Sequence, residues 1–323
     1  MLRWSTSQLL TGILFVSVAW IWGGSFVAIE VGLSSVPPFW FAGLRYLLAG
    51  VVVSAVAVVT GRFRPSGWTE WLSVGLVGVF VVAGYHGLLY LGTAAVSGAI
   101  AAVVVSLSPV LTTVVAGAVL AEESPDLVDG LGLLFGLAGV AVIADPGSGN
   151  VPLVGVALVF VGVSLFAVGS VGIRALDSGL PAAALQGWGM LLGSTLLIVT
   201  ALLRGEAFPT GIVSGGATLP FLYLTLVAGV VGYLVYFELL SRIGPVRVNL
   251  VAYLEPVTAA MVAWGVLGHA PTATTAAGFL LVFTGFALAT GIDPLARIRS
   301  ELEVSVQQSD LADSGAVEHH PAD

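Results

Sequence analysis

The chain has 323 residues, of which 58% are hydrophobic and only 9% charged, where a soluble domain carries about 25% charged residues; a water-soluble globular fold is excluded and an integral membrane protein is implied. Cysteine is absent, so neither a disulfide framework nor a thiolate metal site can form. The formal net charge is -8 and every basic residue is arginine; without lysine there is no Walker-type phosphate loop, which excludes ATP hydrolysis by that route.

In chain order, about ten apolar segments are long enough to span a bilayer, at 8–31, 39–59, 71–91, 96–121, 127–144, 153–173, 182–203, 219–240, 246–267 and 273–292. The first is too long for a signal-peptide core and lacks a small-residue cleavage site. Their abundant glycine, alanine and valine let backbones approach closely, and the GxxxG matches Gly132/Gly136 and Gly189/Gly193 are assigned to helix packing. Arginines gather in alternate loops. With a cytoplasmic N-terminus, Arg3, Arg62, Arg64, Arg174, Arg242, Arg247, Arg297 and Arg299 lie inside, and Arg204 alone of the loop arginines lies outside. Both termini are therefore expected in the cytoplasm and the helix count is even. The acidic stretch after residue 292 has the composition of a disordered tail.

The two halves match when overlaid: Pro37 falls on Pro181, Glu30 on Arg174, Pro109 on Pro256, Glu122 on His269, and Gly132 and Gly139 on Gly278 and Gly285. Five spans per half is odd, so the second copy enters the membrane from the opposite side, the inverted-repeat arrangement of secondary transporters, whose binding sites lie at the midplane between halves. The expectation is an all-α membrane protein of ten transmembrane helices in two inverted five-helix repeats, 1–148 and 149–292, followed by a tail at 293–323.

Glu255, directly before Pro256, lies inside the ninth apolar run. An acid at the centre of a bilayer helix costs about 2.5–3.5 kcal/mol and needs a partner, a cavity or a pathway. Arg45, deep in the second span, is its expected partner, either as a structural ion pair or as a substrate or proton site. Pro109 and Pro256 are expected hinges, because each removes a backbone donor. Asn249 and Tyr253 offer specific hydrogen bonds on the same helix as the acid. Ser108 lies beside Pro109, where a hydroxyl serves either a freed carbonyl or a ligand. His86, after Tyr85, could relay protons or satisfy a carbonyl. Trp20, Trp22, Trp40, Trp188, Tyr233 and Tyr236 could line an amphipathic cavity, while those near span ends, such as Trp4, Trp40, Trp68 and Trp71, are better explained as interface anchors. Glu238 and Arg242 form an expected surface pair. The least poor enzymatic reading is a serine hydrolase using Ser25 with His86 as base. No metal or cofactor is expected.

Several stretches carry a family resemblance: Ala19-Trp-Ile-Trp-Gly-Gly-Ser-Phe26, Arg45-Tyr-Leu-Leu-Ala49, Ser106-Leu-Ser-Pro109 running to Leu120-Ala-Glu122, and Leu254-Glu-Pro256 running to Leu267-Gly-His269. Together they resemble the EamA-like members of the drug/metabolite transporter superfamily over residues 8–292. The second repeat departs from the family's Leu-Gly-Glu ending, with His269 in the acid's place. The resemblance implies export or exchange of small metabolites, such as amino acids or amphipathic compounds, by alternating access and without a cofactor. It implies a cavity lined by helices 1, 3, 4, 6, 8 and 9. Expected partners are a small-molecule substrate, protons as candidate coupling ions, the lipid bilayer of the plasma membrane and a candidate second copy, with no nucleic acid. The other class held open is a non-transporting sensor or scaffold.

Overall fold

The computed structural model describes residues 6–61, 63–119, 127–144, 151–233, 235–236, 238–239, 242 and 251–289. Among them there is no strand. The principal helices are α1 (Thr6–Leu33), α2 (Pro38–Thr60), α3 (Trp68–Thr93), α4 (Gly98–Val119) and α5 (Leu127–Ala144), then α6 (Leu153–Leu176), α7 (Ala182–Leu203), α8 (Thr218–Val231), α9 (Val251–Leu267) and α10 (Ala273–Ala289). Six of them, α1 to α4 with α6 and α7, are long and apolar enough to cross a membrane, and α5, α8, α9 and α10 contribute shorter apolar helices. Local chemistry sets the ends. Pro37, Pro152 and Pro181 precede α2, α6 and α7, where an extended residue enters the helix and a missing N–H costs little. Ser97 caps α4 by accepting from the Ile100 N–H at 3.3 Å.

The two prolines behave differently. At Pro109 the helix breaks: α4 consists of Gly98–Val105 and Ser108–Val119. The last turn of the first part tightens, with the Leu107 N–H donating to Val104 at 3.2 Å. Pro109 then occupies the second position of a new helix, where its lost donor is an orphan anyway. Pro256 instead sits inside the unbroken α9.

Packing repeats itself across the molecule. α2 packs on α7 and α5 on α10, while α1·α9 is matched by α6·α4, α3·α7 by α8·α2, and α3·α6 by α8·α1. Exchanging each helix of the first half with the one five places later returns these contacts between the halves. The residues obey the same exchange. A Cβ on Gly139 or Gly285 would strike the carbonyl oxygen of Gly278 or Gly132 respectively, and Gly43 abuts Ile198 as Gly187 abuts Ser54. Rising numbers on one helix meet falling numbers on its partner, so equivalent helices run antiparallel, as inversion requires. The GxxxG glycines pack within the chain: Gly189 and Gly193 lie against Val77 and Val82, and Gly136 against Leu107.

Two stretches are π-helical, Val77–His86 in α3 and Tyr223–Val231 in α8, and their starts are 146 residues apart, close to the repeat offset. The core between the halves includes Phe41, Tyr90, Leu107 and Leu224, all fully buried. In lipid such a core is held by close packing and interhelical hydrogen bonds, since burial against hydrocarbon gains little over lipid itself. Exposed apolar side chains such as Leu134, Leu202, Trp264 and Leu280 form the outward face.

Candidate functional site

Arg45, 7% exposed, does not pair with Glu255. Its Nε donates to the Leu224 carbonyl at 3.1 Å, its Nη1 donates to the Tyr90 hydroxyl at 2.6 Å, and its guanidinium lies 4.7 Å from the centre of the Tyr46 ring. The reason is topological: α2 packs on α3, α7 and α8, whereas α9 packs on α1 and α4. Leu224 belongs to the π-helical stretch of α8, where the widened turn leaves carbonyls accessible to a further donor, a recurrent use of π turns at functional sites.

Glu255 is 8% exposed, and among the described residues no donor reaches its carboxylate. The buried hydroxyls without partners among the described residues are those of Ser54, Ser73 and Thr225. Tyr85 packs on His86 at 4.4 Å and on Phe166 at 5.2 Å between ring centroids.

Helix α1 holds the acid in place. A Cβ on Gly23 would strike Thr258 and the Glu255 carbonyl, and the Thr258 hydroxyl donates to the Ala19 carbonyl at 2.8 Å. One turn of α1 thus fixes the backbone of Glu255. The neighbouring Trp22 points to α8: its Nε1 donates to the Ala228 carbonyl at 3.3 Å, and its ring centroid lies 5.5 Å from Tyr233 and 5.3 Å from Tyr236. Tyr223 donates to the Ile21 carbonyl at 2.7 Å, over the space that Gly24 leaves.

His86 Nδ1 lies 2.8 Å from the Val81 carbonyl, which can only accept, so that nitrogen carries hydrogen. Its ring sits between Tyr46 at 4.5 Å and Tyr85 at 4.4 Å. Ser25 Oγ donates to the Ile21 carbonyl at 2.9 Å. No hydrogen bond joins Ser25 and His86 in this structure, so the postulated serine–histidine couple is not formed. Beside Pro109, Thr112 donates to the Ser108 carbonyl at 2.7 Å and Thr113 to the Pro109 carbonyl at 3.1 Å, so these two threonine hydroxyls serve backbone.

The remaining expectations distribute as follows. Asn249 lies outside the described residues, and Tyr253 is described through its backbone in α9 alone. Trp20 is 42% exposed. Trp40 is buried, with Nε1 donating to the Glu206 carbonyl at 3.1 Å, so it anchors helices to each other and not to an interface. Trp188 stacks on Phe63 and meets Trp71 at the bundle's end. Arg242 and Glu238 do pair, at 2.7 Å. Sequence reasoning missed Tyr46, Tyr90, Tyr223 and Thr258; their signal was a phenol or hydroxyl at mid-span. It also missed Glu30, whose carboxylate accepts from the Gly98 N–H at 2.7 Å and lies 3.6 Å from His269 Nδ1.

Comparison with known proteins gives this arrangement a context. The model of the EamA-like transporter family matches residues 9–144 and again 153–291. The uncharacterized inner membrane transporter YedA of Escherichia coli K12 is 29% identical over 252 residues, which cover 77% of this chain and 80% of that protein. An uncharacterized transporter of Archaeoglobus fulgidus is 28% identical over 285 residues, 87% of this chain and 97% of its own length. A solved crystal structure superposes with TM-score 0.62 at 22% identity, covering 89% of this chain and 97% of that one, a likeness that shows the fold alone. A multi-pass membrane protein whose two halves each match one transporter repeat is itself a membrane transporter, and the chain belongs to the EamA-like transporter family.

Proposed function

We propose that the protein is a secondary active transporter that moves small metabolites by alternating access, through a cavity between two five-helix halves, with both termini cytoplasmic. One observation carries the reading: Glu255, buried in the membrane-spanning bundle, offers a carboxylate with no protein donor among the described residues. A charge kept unpaired at that depth costs several kcal/mol and is retained where it meets a ligand or an ion. Arg45 supplies a second, fixed charge held by Tyr90, and Trp22 on α1 packs on Tyr233 and Tyr236. The break at Pro109 and the two π-helical stretches are the backbone irregularities that rocking of the halves would use.

The test is flux in liposomes. Purified protein is reconstituted and challenged with an amino-acid and metabolite panel, with and without a pH gradient. The expected result is protein-dependent accumulation of at least one compound, reduced about tenfold or more by Glu255→Gln. Flux of that compound unchanged by the substitution, in its rate and its response to the gradient, would refute the role given to Glu255.

A further inference from the structure

We propose that Glu30 and His269 form a proton-operated latch between the two halves, at the end of the bundle that is extracellular under the transport reading, on which the inference rests. Glu30 lies in the last turn of α1, and its carboxylate accepts from the Gly98 N–H at 2.7 Å. A negative charge at the start of α4 is favoured by the free N–H groups there, so the acid stays with the first half whatever its neighbour does. Its other oxygen lies 3.6 Å from His269 Nδ1. That histidine follows α9, in the second half, and the helix end holds it. Gly268 takes φ +72°, its N–H donates to the Trp264 carbonyl at 3.1 Å, and the His269 N–H donates to the Ala263 carbonyl at 3.3 Å. Both partners are thus presented on fixed backbone, and their contact crosses from one repeat to the other.

Histidine is the side chain that changes charge in the physiological pH range. The His269 side chain is 58% exposed and that of Glu30 20%, so solvent protons reach the imidazole. With His269 protonated, cation and carboxylate attract and the closed contact gains; with His269 neutral the attraction is lost, so the gain disappears as pH rises. The stretches 26–36, 94–101 and 269–276 bring no titratable side chain besides this pair. Among the described residues, the other charges at this end are Arg204 and Glu206, which lie 4.0 Å from each other and dock on α2 through the Phe39 ring and the Trp40 N–H. Asp145 lies outside the described residues. Deeper in the bundle α1 and α9 touch at Gly23 and Thr258, so the pair caps a seam that alternating access has to part. An ion pair this exposed shifts an equilibrium about two- to fivefold, which biases opening of one face without holding it shut.

The chain has no cysteine, which allows spin labels at Ser34→Cys and Ala273→Cys, exposed positions near the two partners in sequence. Double electron–electron resonance on the reconstituted protein then reports the distance across the latch. From about pH 8 to about pH 5, the ratio of the shorter to the longer population should rise about two- to fivefold. His269→Gln and Glu30→Gln should each remove that rise. His269→Arg, cationic at both values, should hold the ratio near its acidic level throughout, which a loss of folding could not imitate. A ratio indifferent to pH, a fall in place of the rise, or a rise that survives His269→Gln overturns the latch. Flux of a panel compound in liposomes alongside an unresponsive ratio would overturn the latch and leave transport standing. The expected response without flux of any compound would uphold the latch and overturn transport.

Discussion

Removal of one hydroxyl, by Tyr90→Phe, tests whether the protein wall and not the acid on α9 satisfies Arg45. The Tyr90 hydroxyl accepts from Arg45 Nη1 at 2.6 Å, and both side chains are buried. A hydrogen bond to a charged group is worth about 1.5–3 kcal/mol, whereas polar pairs between membrane helices average about 0.6 and reach about 1.7 kcal/mol. The charge on Arg45, the short distance and the burial favour the lower part of the charged-group range over the membrane average, so the loss should be about 2 kcal/mol. Phenylalanine keeps the ring and its contact with Phe41, which confines the change to the hydroxyl. On an Arg45→Met background the same substitution should cost only about 0.5 kcal/mol, because the charge it served is gone. The coupling of about 1.5 kcal/mol can be read from reversible unfolding in mixed micelles, followed by tryptophan fluorescence, as a double-mutant cycle. Additivity within about 0.5 kcal/mol would refute the reasoning, because it would mean that Arg45 draws its stabilisation from elsewhere.

Other expectations follow from the same geometry. Gly139→Leu should abolish a monodisperse, folded protein on size-exclusion chromatography, because its Cβ meets the backbone of α10, while Gly265→Ala, with nothing within 4 Å of the new Cβ, should change stability by no more than about 1 kcal/mol. Thr258→Val keeps the shape but loses the donor to Ala19, and micellar unfolding should register a cost of about 0.6–1.7 kcal/mol. Glu30→Gln still presents an oxygen to the Gly98 N–H but removes the charge at the start of α4, so it should cost about 0.3–1 kcal/mol and less than Glu30→Ala in the same measurement.

Much of the architecture was legible because membrane helices announce themselves by hydropathy and because the repeat leaves residue-level marks. Pro37 and Pro181 stand before equivalent helices, and Gly132, Gly139, Gly278 and Gly285 meet across one seam. Glu255 was legible as well, since a carboxylate in an apolar run is conspicuous. Its separation from Arg45 was not. Pairing depends on which helices touch, and a sequence of nearly uniform apolar segments does not encode that α2 faces α8 while α9 faces α1. The π-helical stretches were equally hidden, because Val77–His86 and Tyr223–Val231 have the composition of their neighbours. Tyr90 and Tyr46 escaped notice because a phenol in a span reads as ordinary packing until a guanidinium is placed against it.

The exchange that relates the two halves stops at the chemistry: the overlay that sets Pro109 on Pro256 sets Ser108 on Glu255. Under the proposed mechanism, the two access states are near mirror versions of one scaffold, but the acid always rides on α9. A solute arriving from one face therefore meets a different environment from one arriving at the other. Half-saturating concentrations on the two faces should differ, while for uncoupled flux detailed balance still requires equal kcat/KM in both directions. A lopsided pair of saturation curves with identical initial slopes would be the kinetic signature of one unequal residue in an otherwise balanced frame.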